Sequence, residues 1–396
     1  MPSSEGQTGE RPAFRPADHA DWIVAPATPP GTGAVGVIRL DGPGCWEVAA
    51  KVWSPGLSSA GGEPDQPAGP PMARKLTLGT VFGWVGEDGI SRVPLDKVLL
   101  VWFPGPKSYT GNDLVEFQCH GSPAVMAAVV DALREAGARM ARPGEFTERA
   151  FFNGRMDLAQ TEGVANLVAA RTREASRVAL SQMQGGLSGE VLAIRDMLLD
   201  LSAEIEADLD FPEEEIKPAA RSRQESILRV ASTRVKDLVA TARRGRLFRD
   251  GARVVLAGKP NTGKSSIFNL LVGSERAIVT PHPGTTRDTI EATLDVRGVP
   301  VVLVDTAGVR GASAVGEGDV PGVIERLGIE RSMREVAGAD VVLFVIDSSG
   351  EPDDQDQAIY DSLSGRPWVL TLNKSDLPEA CGGWEERFPG SRGCLS

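Results

Sequence analysis

Cysteine is scarce in this sequence. Four occur in 396 residues, Cys45, Cys119, Cys381 and Cys394, and no two stand at C-x-x-C spacing. Only three histidines accompany them. A structural zinc site and a disulfide framework therefore have no support. No apolar run approaches the ~20 residues of a bilayer span. The opening "MPSSEGQTGERPAFRPADHA" lacks the apolar core of a secretory leader. Excess positive charge is missing too: 54 acidic against 42 basic residues give −12. That balance argues against gripping nucleic acid over a broad face. The expectation is a cytoplasmic protein with no membrane segment.

What is present allows a sizeable core. The chain is 41% hydrophobic and long enough for two or three domains. Residues 1–20 read as a disordered tail. "DWIVAPAT", "GAVGVIRL", "LTLGTVFGWV" and "VPLDKVLLVWF" read as strands of a mixed sheet, with a Gly/Pro/Ser loop at 54–71. "SPAVMAAVVDALREAG" has helical spacing, with Ser122 as N-cap and Pro123 in the first turn. From Glu145 to about Arg249 apolar residues recur three and four apart, which predicts long helices broken at "DFPEEE". After Gly251, apolar strands alternate with helices and predict a doubly wound, mostly parallel sheet. The expected organisation is multidomain α/β: a tail over 1–20, an α+β domain over 21–144, a helical domain over 145–250 and an α/β domain over 251–396.

Gly258-Lys-Pro-Asn-Thr-Gly263-Lys264-Ser265 fits G-x-x-x-x-G-K-[ST], with a strand before it and a helix after. In that context backbone N–H groups curl round a phosphate at a helix N-terminus. Lys264 then reaches the β- and γ-phosphates, and Ser265 ligates Mg²⁺. Three later pieces point to guanine and to hydrolysis. "DTAG" places Asp305 and Gly308 at a strand end, on the Mg²⁺ and γ-phosphate side. "PGTTRD" offers Thr286 as a further Mg²⁺ hydroxyl. "NKSD" ends an apolar strand, where Asp376 can accept two N–H bonds that adenine does not supply. Val309 follows the DTAG stretch where Ras-like enzymes carry a water-orienting Gln, and no arginine finger is evident.

A second glycine cluster, Gly31-Thr-Gly33-Ala-Val-Gly36, spells G-x-G-x-x-G. A dinucleotide fingerprint needs strand, turn, then helix. Here three prolines precede the cluster and a strand follows it. The order is reversed, so the glycines read as a tight loop that aims the next strand.

The stretches "IVAPATPPGTGAVGVIRL", "WFPGPKSYTGNDLVEFQCHG", "RPGEFTERAFFNGRMDLAQTEGV", "DFPEEE", "GKPNTGKSSIFNLL" and "IVTPHPGTTRDTIEA" together resemble the tRNA modification GTPase MnmE (TrmE) family, over roughly residues 20–396. The resemblance implies an N-terminal folate-binding and dimerising domain, a helical domain and a Ras-like G domain inserted into it. It implies GTP hydrolysis coupled to modification of the tRNA wobble uridine at C5, with a flavin-dependent MnmG-like partner. Arg39, Glu116 and Arg155 match the family's contacts to 5-formyl-tetrahydrofolate, with Arg155 standing where the family usually has Lys. For GTP the match covers Asn261, Thr262, Gly263, Lys264, Ser265, Ser266, Thr280, Thr285, Thr286, Asp305, Gly308, Asn373, Lys374 and Asp376. It implies a K⁺ ion held by Asn261, Thr285 and backbone oxygens of Thr280 and His282. Glu325 matches the water-orienting glutamate and, with Lys264, is the catalytic expectation. On residues alone Glu325 also reads as a solvated helix-face charge, and Arg39 as a strand-end charge.

The family's helical domain has a second half ending in Cys-x-Gly-Lys, whereas this sequence ends "GCLS". The expectation is a piece of a longer protein. Two rival readings share these motifs. One is a ribosome-assembly switch GTPase of the Era/EngA type, although here about 250 residues precede the phosphate loop. The other is a folate-dependent one-carbon transferase with a vestigial G domain, against which Lys264, Ser265 and Asp376 stand intact. The basic stretch at 241–253 reads as a solvated helix end or a tRNA contact.

Overall fold

The computed structural model describes residues 20–56, 69–85, 91–210, 218–273, 277–278, 290–305, 335–378, 383–391 and 394–395. Two compact units divide the chain, Met1–Thr161 and Glu162–Ser396. In the first, β1 (Ile23–Pro26), β2 (Val35–Asp41), β3 (Trp53–Pro55), β4 (Thr77–Val85), β5 (Ser91–Phe103), β6 (Leu114–His120) and β7 (Arg139–Met140) form one sheet in the order β3-β4-β5-β6-β2-β1-β7. All pairs are antiparallel except β1 with β7, so the sheet is mixed, as its alternating strands predict. Helices α1 (Trp46–Val52) and α2 (Pro123–Glu135) cover one face, and α3 spans Glu145–Phe152.

Period two explains which face is covered. Along β6, Val115, Phe117 and Cys119 enter the core, while Glu116, Gln118 and His120 do not. On β2 the core residues are Ile38 and Leu40, which leaves Arg39 on the opposite face. Ser122 stands at the N-cap of α2 with extended backbone, and Pro123 opens the helix. The serine side chain makes no cap hydrogen bond, so proline and position, not the hydroxyl, mark this start.

The glycine cluster at 31–36 runs directly into β2. The Gly33 N–H bonds Gly121 O at 2.9 Å, and a Cβ at Gly121 would stand 2.4 Å from Gly33 O. The loop thus aims a strand along the sheet, and no helix begins there.

The second unit opens with helices. They are α4 (Leu158–Ala169, beginning in the first unit), α5 (Arg173–Met183), α6 (Gly186–Asp210) and α7 (Pro218–Asp250). Helix α6 ends at Asp210, the first residue of the "DFPEEE" stretch, and the rest of that stretch lies outside the described residues. A second sheet follows, ordered β14-β13-β12-β8-β11-β10-β9. Its strands are β8 (Ala252–Ala257), β9 (Ala277–Ile278), β10 (Ile290–Val296), β11 (Val299–Asp305), β12 (Val341–Asp347), β13 (Trp368–Asn373) and β14 (Cys394–Leu395). Strands β11, β8, β12, β13 and β14 run parallel, while β10 is antiparallel to β11 and β9. Helices α8 (Lys264–Val272), α9 (Asp354–Ser362) and α10 (Trp384–Arg387) accompany this sheet in the second unit.

Both faces of this sheet carry apolar clusters. Val255, Val304, Phe344 and Leu370 belong to one; Leu256, Leu303, Val345 and Phe268 of α8 belong to the other. A strand buried on both sides reads as a continuous apolar run, which is why "RVVLA" and "VVLFVI" show no alternation.

Candidate functional site

β8 ends at Ala257, and α8 begins at Lys264. Between them the chain makes turns that specific residue types permit. Gly258 has φ +156°, and a Cβ there would lie 2.2 Å from Val345 O. Gly263 has φ +91°, and its Cβ would lie 1.9 Å from Asn373 Nδ2. Any side chain at either position would collide with the neighbouring strand ends. Asn261 takes φ 64°, a left-handed conformation that Asn tolerates better than most residues. The loop is closed internally by Thr262 Oγ1 donating to Lys259 O at 2.9 Å.

Lys264 is 5% exposed. Its ammonium donates to Gly258 O at 2.7 Å and Lys259 O at 2.6 Å, so the charge lies against the loop's own carbonyls. Ser265 Oγ donates to Asp305 Oδ2 at 2.8 Å, and Asp305 is 1% exposed at the end of β11. A hydroxyl and a carboxylate forty residues apart therefore meet beside the helix start. Both are oxygen donors, the ligand type that Mg²⁺ takes, so these residues fit that ion. Ser266, in the first turn of α8, is exposed.

The other end of the site is made by the tips of β12 and β13. Asn373 Nδ2 donates to Thr262 O at 2.7 Å and ties the NKSD stretch to the phosphate loop. Lys374 has φ 62°, and its ammonium lies 2.6 Å from Asp347 Oδ2. That hydrogen bond, with a second from Ser349, holds the Asp347 carboxyl below the ordinary range. Ser348 braces the same tip, donating from both N–H and Oγ to Asn373 O at 3.0 Å. Asp376 is exposed just beyond. Asp347 carries no motif letter in the sequence, and only the register Asp347↔Asn373 reveals its role. Thr280, His282, Thr285, Thr286, Gly308 and Glu325 lie outside the described residues.

In the first unit, Arg39 and Glu116 are register partners on β2 and β6, with Arg39 Nε 2.7 Å from Glu116 Oε1. The Arg39 guanidinium lies over the Tyr109 ring, 5.2 Å from its centroid. The Tyr109 hydroxyl lies 2.9 Å from Thr147 Oγ1 of α3. Arg155 is exposed and comes to the same loop: a Cβ at Gly111 would stand 3.2 Å from Arg155 Cγ. Tyr109 and Thr147 escaped the sequence reading, because nothing in the spacing of "KSYTG" says which strand the ring will cover.

A buried charge network fixes this loop. Asp41, fully buried at the end of β2, accepts from Thr110 Oγ1, from Asn112 Nδ2 at 3.3 Å and from Arg149 at 3.0 Å. Arg149 is itself fully buried and also reaches Asp21 and Glu145. Glu145 accepts from Arg139 at 2.6 Å and 2.9 Å and from the Arg142 N–H at 2.8 Å. The Arg139 hydrogen bonds, foremost among several causes, hold the Glu145 carboxyl down at about 2.

Strand, glycine loop and helix, with a hydroxyl–carboxylate pair beside the helix start and an NKSD strand tip bonded to the loop, define a P-loop protein of the guanine-nucleotide class. Known proteins narrow the class. A family model described as GTP-binding protein TrmE N-terminus matches residues 22–155, and one described as 50S ribosome-binding GTPase matches 253–374. A tRNA modification GTPase MnmE of Thermus thermophilus is 45% identical over 369 residues, 92% of this chain and 77% of its own length. Its counterpart in a Synechococcus species is 43% identical over 360 residues, 90% of this chain and 73% of its own. That of Aquifex aeolicus is 40% identical over 355 residues, 90% and 73%. The chain belongs to the tRNA modification GTPase MnmE family. It spans about three quarters of the length of these relatives.

Proposed function

We propose that this chain hydrolyses GTP to drive modification of the tRNA wobble uridine at C5, with a tetrahydrofolate supplying the one-carbon unit and an MnmG-like flavoprotein as partner. The observation that carries the reading is the placement of Ser265 Oγ on Asp305 at 2.8 Å beside Lys264, in a chain over 40% identical to named MnmE proteins. Lys264 would leave the carbonyls of Gly258 and Lys259 for the β- and γ-phosphates. Ser265 and Asp305 would stand on the Mg²⁺ side, joined by Thr286. An Mg²⁺ held there by Ser265, Asp305 and Thr286 would supply positive charge to the phosphate oxygens. Asp376 would accept the two guanine N–H bonds, next to the braced Asn373 and Lys374.

Val309 cannot orient a water; Glu325, which matches the family's water-orienting glutamate, would take that task. Asn261, Thr285 and the backbone at Thr280 and His282 would hold a K⁺, which would supply the positive charge that a finger arginine brings elsewhere. Arg39, Glu116 and Arg155 form the folate contacts, in a unit that dimerises. Among the described residues no helix is long and apolar enough to cross a membrane, and the reading places the protein in the cytoplasm.

The ribosome-assembly alternative draws on the name of the model matching 253–374, which covers the nucleotide-binding part alone. The relatives that match nine tenths of the chain carry the tRNA modification name. Mass spectrometry of tRNA nucleosides from a strain lacking the gene tests the proposal. Loss of the C5 group at wobble uridines is expected. Unchanged wobble uridines alongside defective ribosomal subunits would replace the proposal with the ribosomal reading.

A further inference from the structure

Lys259, second residue of the phosphate loop, is engaged at both of its polar ends. Its carbonyl accepts from Lys264 Nζ at 2.6 Å and Thr262 Oγ1 at 2.9 Å. Its side chain is 20% exposed, and its ammonium lies 2.7 Å from Asp356 Oδ2 and 2.9 Å from Asp353 Oδ2. Both aspartates belong to the start of α9. Asp353 is the N-cap, accepting from the N–H groups of Gln355 and Asp356, and Asp356 Oδ2 takes the Asp353 N–H at 3.1 Å. Asp356 is 1% exposed, and its Oδ1 has no hydrogen-bond partner among the described residues.

A carboxylate this deeply buried is costly unless a cation answers it. A helix cap alone needs no such burial, since exposed capping boxes serve equally well. The cation that answers Asp356 comes from the phosphate loop. We propose that Asp356, assisted by Asp353, is a positioning residue for nucleotide binding: it anchors the phosphate loop to the start of α9 through the Lys259 side chain. The anchor holds the loop's first turn in place when Lys264 turns from the Lys259 carbonyl to a phosphate. Backbone donors fixed in advance bind an anion without first having to be ordered. The anchor acts on binding, and the reacting atoms do not touch it.

The inference rests on the reading that this loop binds guanine nucleotide, and the test separates the two. A fluorescent GDP analogue is titrated into the full chain, its Lys259→Gln and Asp356→Asn variants, the double variant and Lys259→Arg. GTP turnover is measured at subsaturating and saturating concentrations. Each neutral variant should raise the GDP Kd about tenfold, and the double variant about tenfold as well, because coupled residues are not additive. KM should rise with kcat at saturation unchanged, and Lys259→Arg should recover most of the affinity. Neutral variants with wild-type Kd, or a double variant weakened about a hundredfold, would overturn the anchor alone. Wild-type protein unable to bind GDP overturns the nucleotide reading and the anchor with it. Should Asp356→Asn not fold, Lys259→Gln against Lys259→Arg decides: equal affinities reject the anchor, and recovery by Arg sustains it.

Discussion

The phosphate loop gathers its groups from eight consecutive residues, Gly258 to Ser265, whereas the cluster around Arg39 draws on β2, β6, the 104–113 loop and α3. In the first, the chemistry lies largely in backbone N–H groups whose direction is set by two glycines. In the second, it lies in side chains that sequence distance keeps apart and a buried charge network brings together. A local site is sensitive to single atoms at its ends. An assembled site is sensitive to whatever holds its pieces in register. The expected effects of substitution differ accordingly.

The largest effect should fall on base choice. Asp376→Asn exchanges a carboxylate for an amide that cannot accept two N–H bonds, and a site built on such bonds discriminates by up to ~10⁴. Preference should pass from GTP to xanthosine triphosphate, read by competitive binding of the two nucleotides. Unchanged GTP affinity would remove Asp376 from the base site. Next comes turnover. Lys264→Ala should lower kcat by about 10²–10³-fold, the effect of deleting one preorganised charge at a reacting centre. Phosphate release at saturating GTP checks it. A local site also predicts that folate affinity is untouched in both variants.

Legibility followed the same division. Gly258, Gly263, Lys264 and Ser265 were readable because a loop that must curl round an anion leaves a contiguous spelling. The strand before it and the helix after it fell where the apolar run and its period predict. The pairing of β2 with β6 was not readable, since long-range register leaves no local trace, so Arg39 and Glu116 came only through resemblance. Asp347, Tyr109 and Asp356 were silent for the same reason: each acts on a partner at least twenty-seven residues away. The helices over 158–250 were readable as helices from their period. What they pack against was not, and Leu199, Leu209 and Val239 remain more than half exposed.

The assembled site should break through its support. Arg149→Met leaves Asp41 buried without its cation, and breaking such a pair costs about 3–5 kcal/mol. Thermal unfolding of the first unit should show the loss, and folate binding should fall with it while GDP binding does not. The same network gives a pH dependence. Glu145 is held at about 2 by Arg139, below the ordinary carboxylate value. Its contribution is therefore complete above the ordinary carboxylate range and is lost as pH falls from there toward about 2. Denaturant midpoints measured between about pH 6 and pH 3 should decline, and Glu145→Gln should flatten the decline. A Glu145→Gln variant with the wild-type pH profile would contradict the network, because burial raises the Asp41 carboxyl and so gives a contribution of opposite sign that both proteins share.

The smallest effect separates the two parts of Tyr109. Its ring lies over Arg39, and its hydroxyl meets Thr147 on α3. Tyr109→Phe keeps the ring and removes one partly buried hydrogen bond, worth about 1 kcal/mol, or roughly a fivefold change in affinity at most. Tyr109→Ala removes the ring as well. It adds the loss of a cation–π contact of about 0.5–1 kcal/mol and of the apolar wall beside the guanidinium. Calorimetry with 5-formyl-tetrahydrofolate should therefore rank wild type, Phe and Ala in descending affinity, with Arg39→Ala below all three. A Phe variant as weak as Arg39→Ala would mean that the hydroxyl itself touches the ligand. An Ala variant equal to wild type would mean that the ligand enters from the Glu116 side, and that the ring only keeps Arg39 in its register with β6.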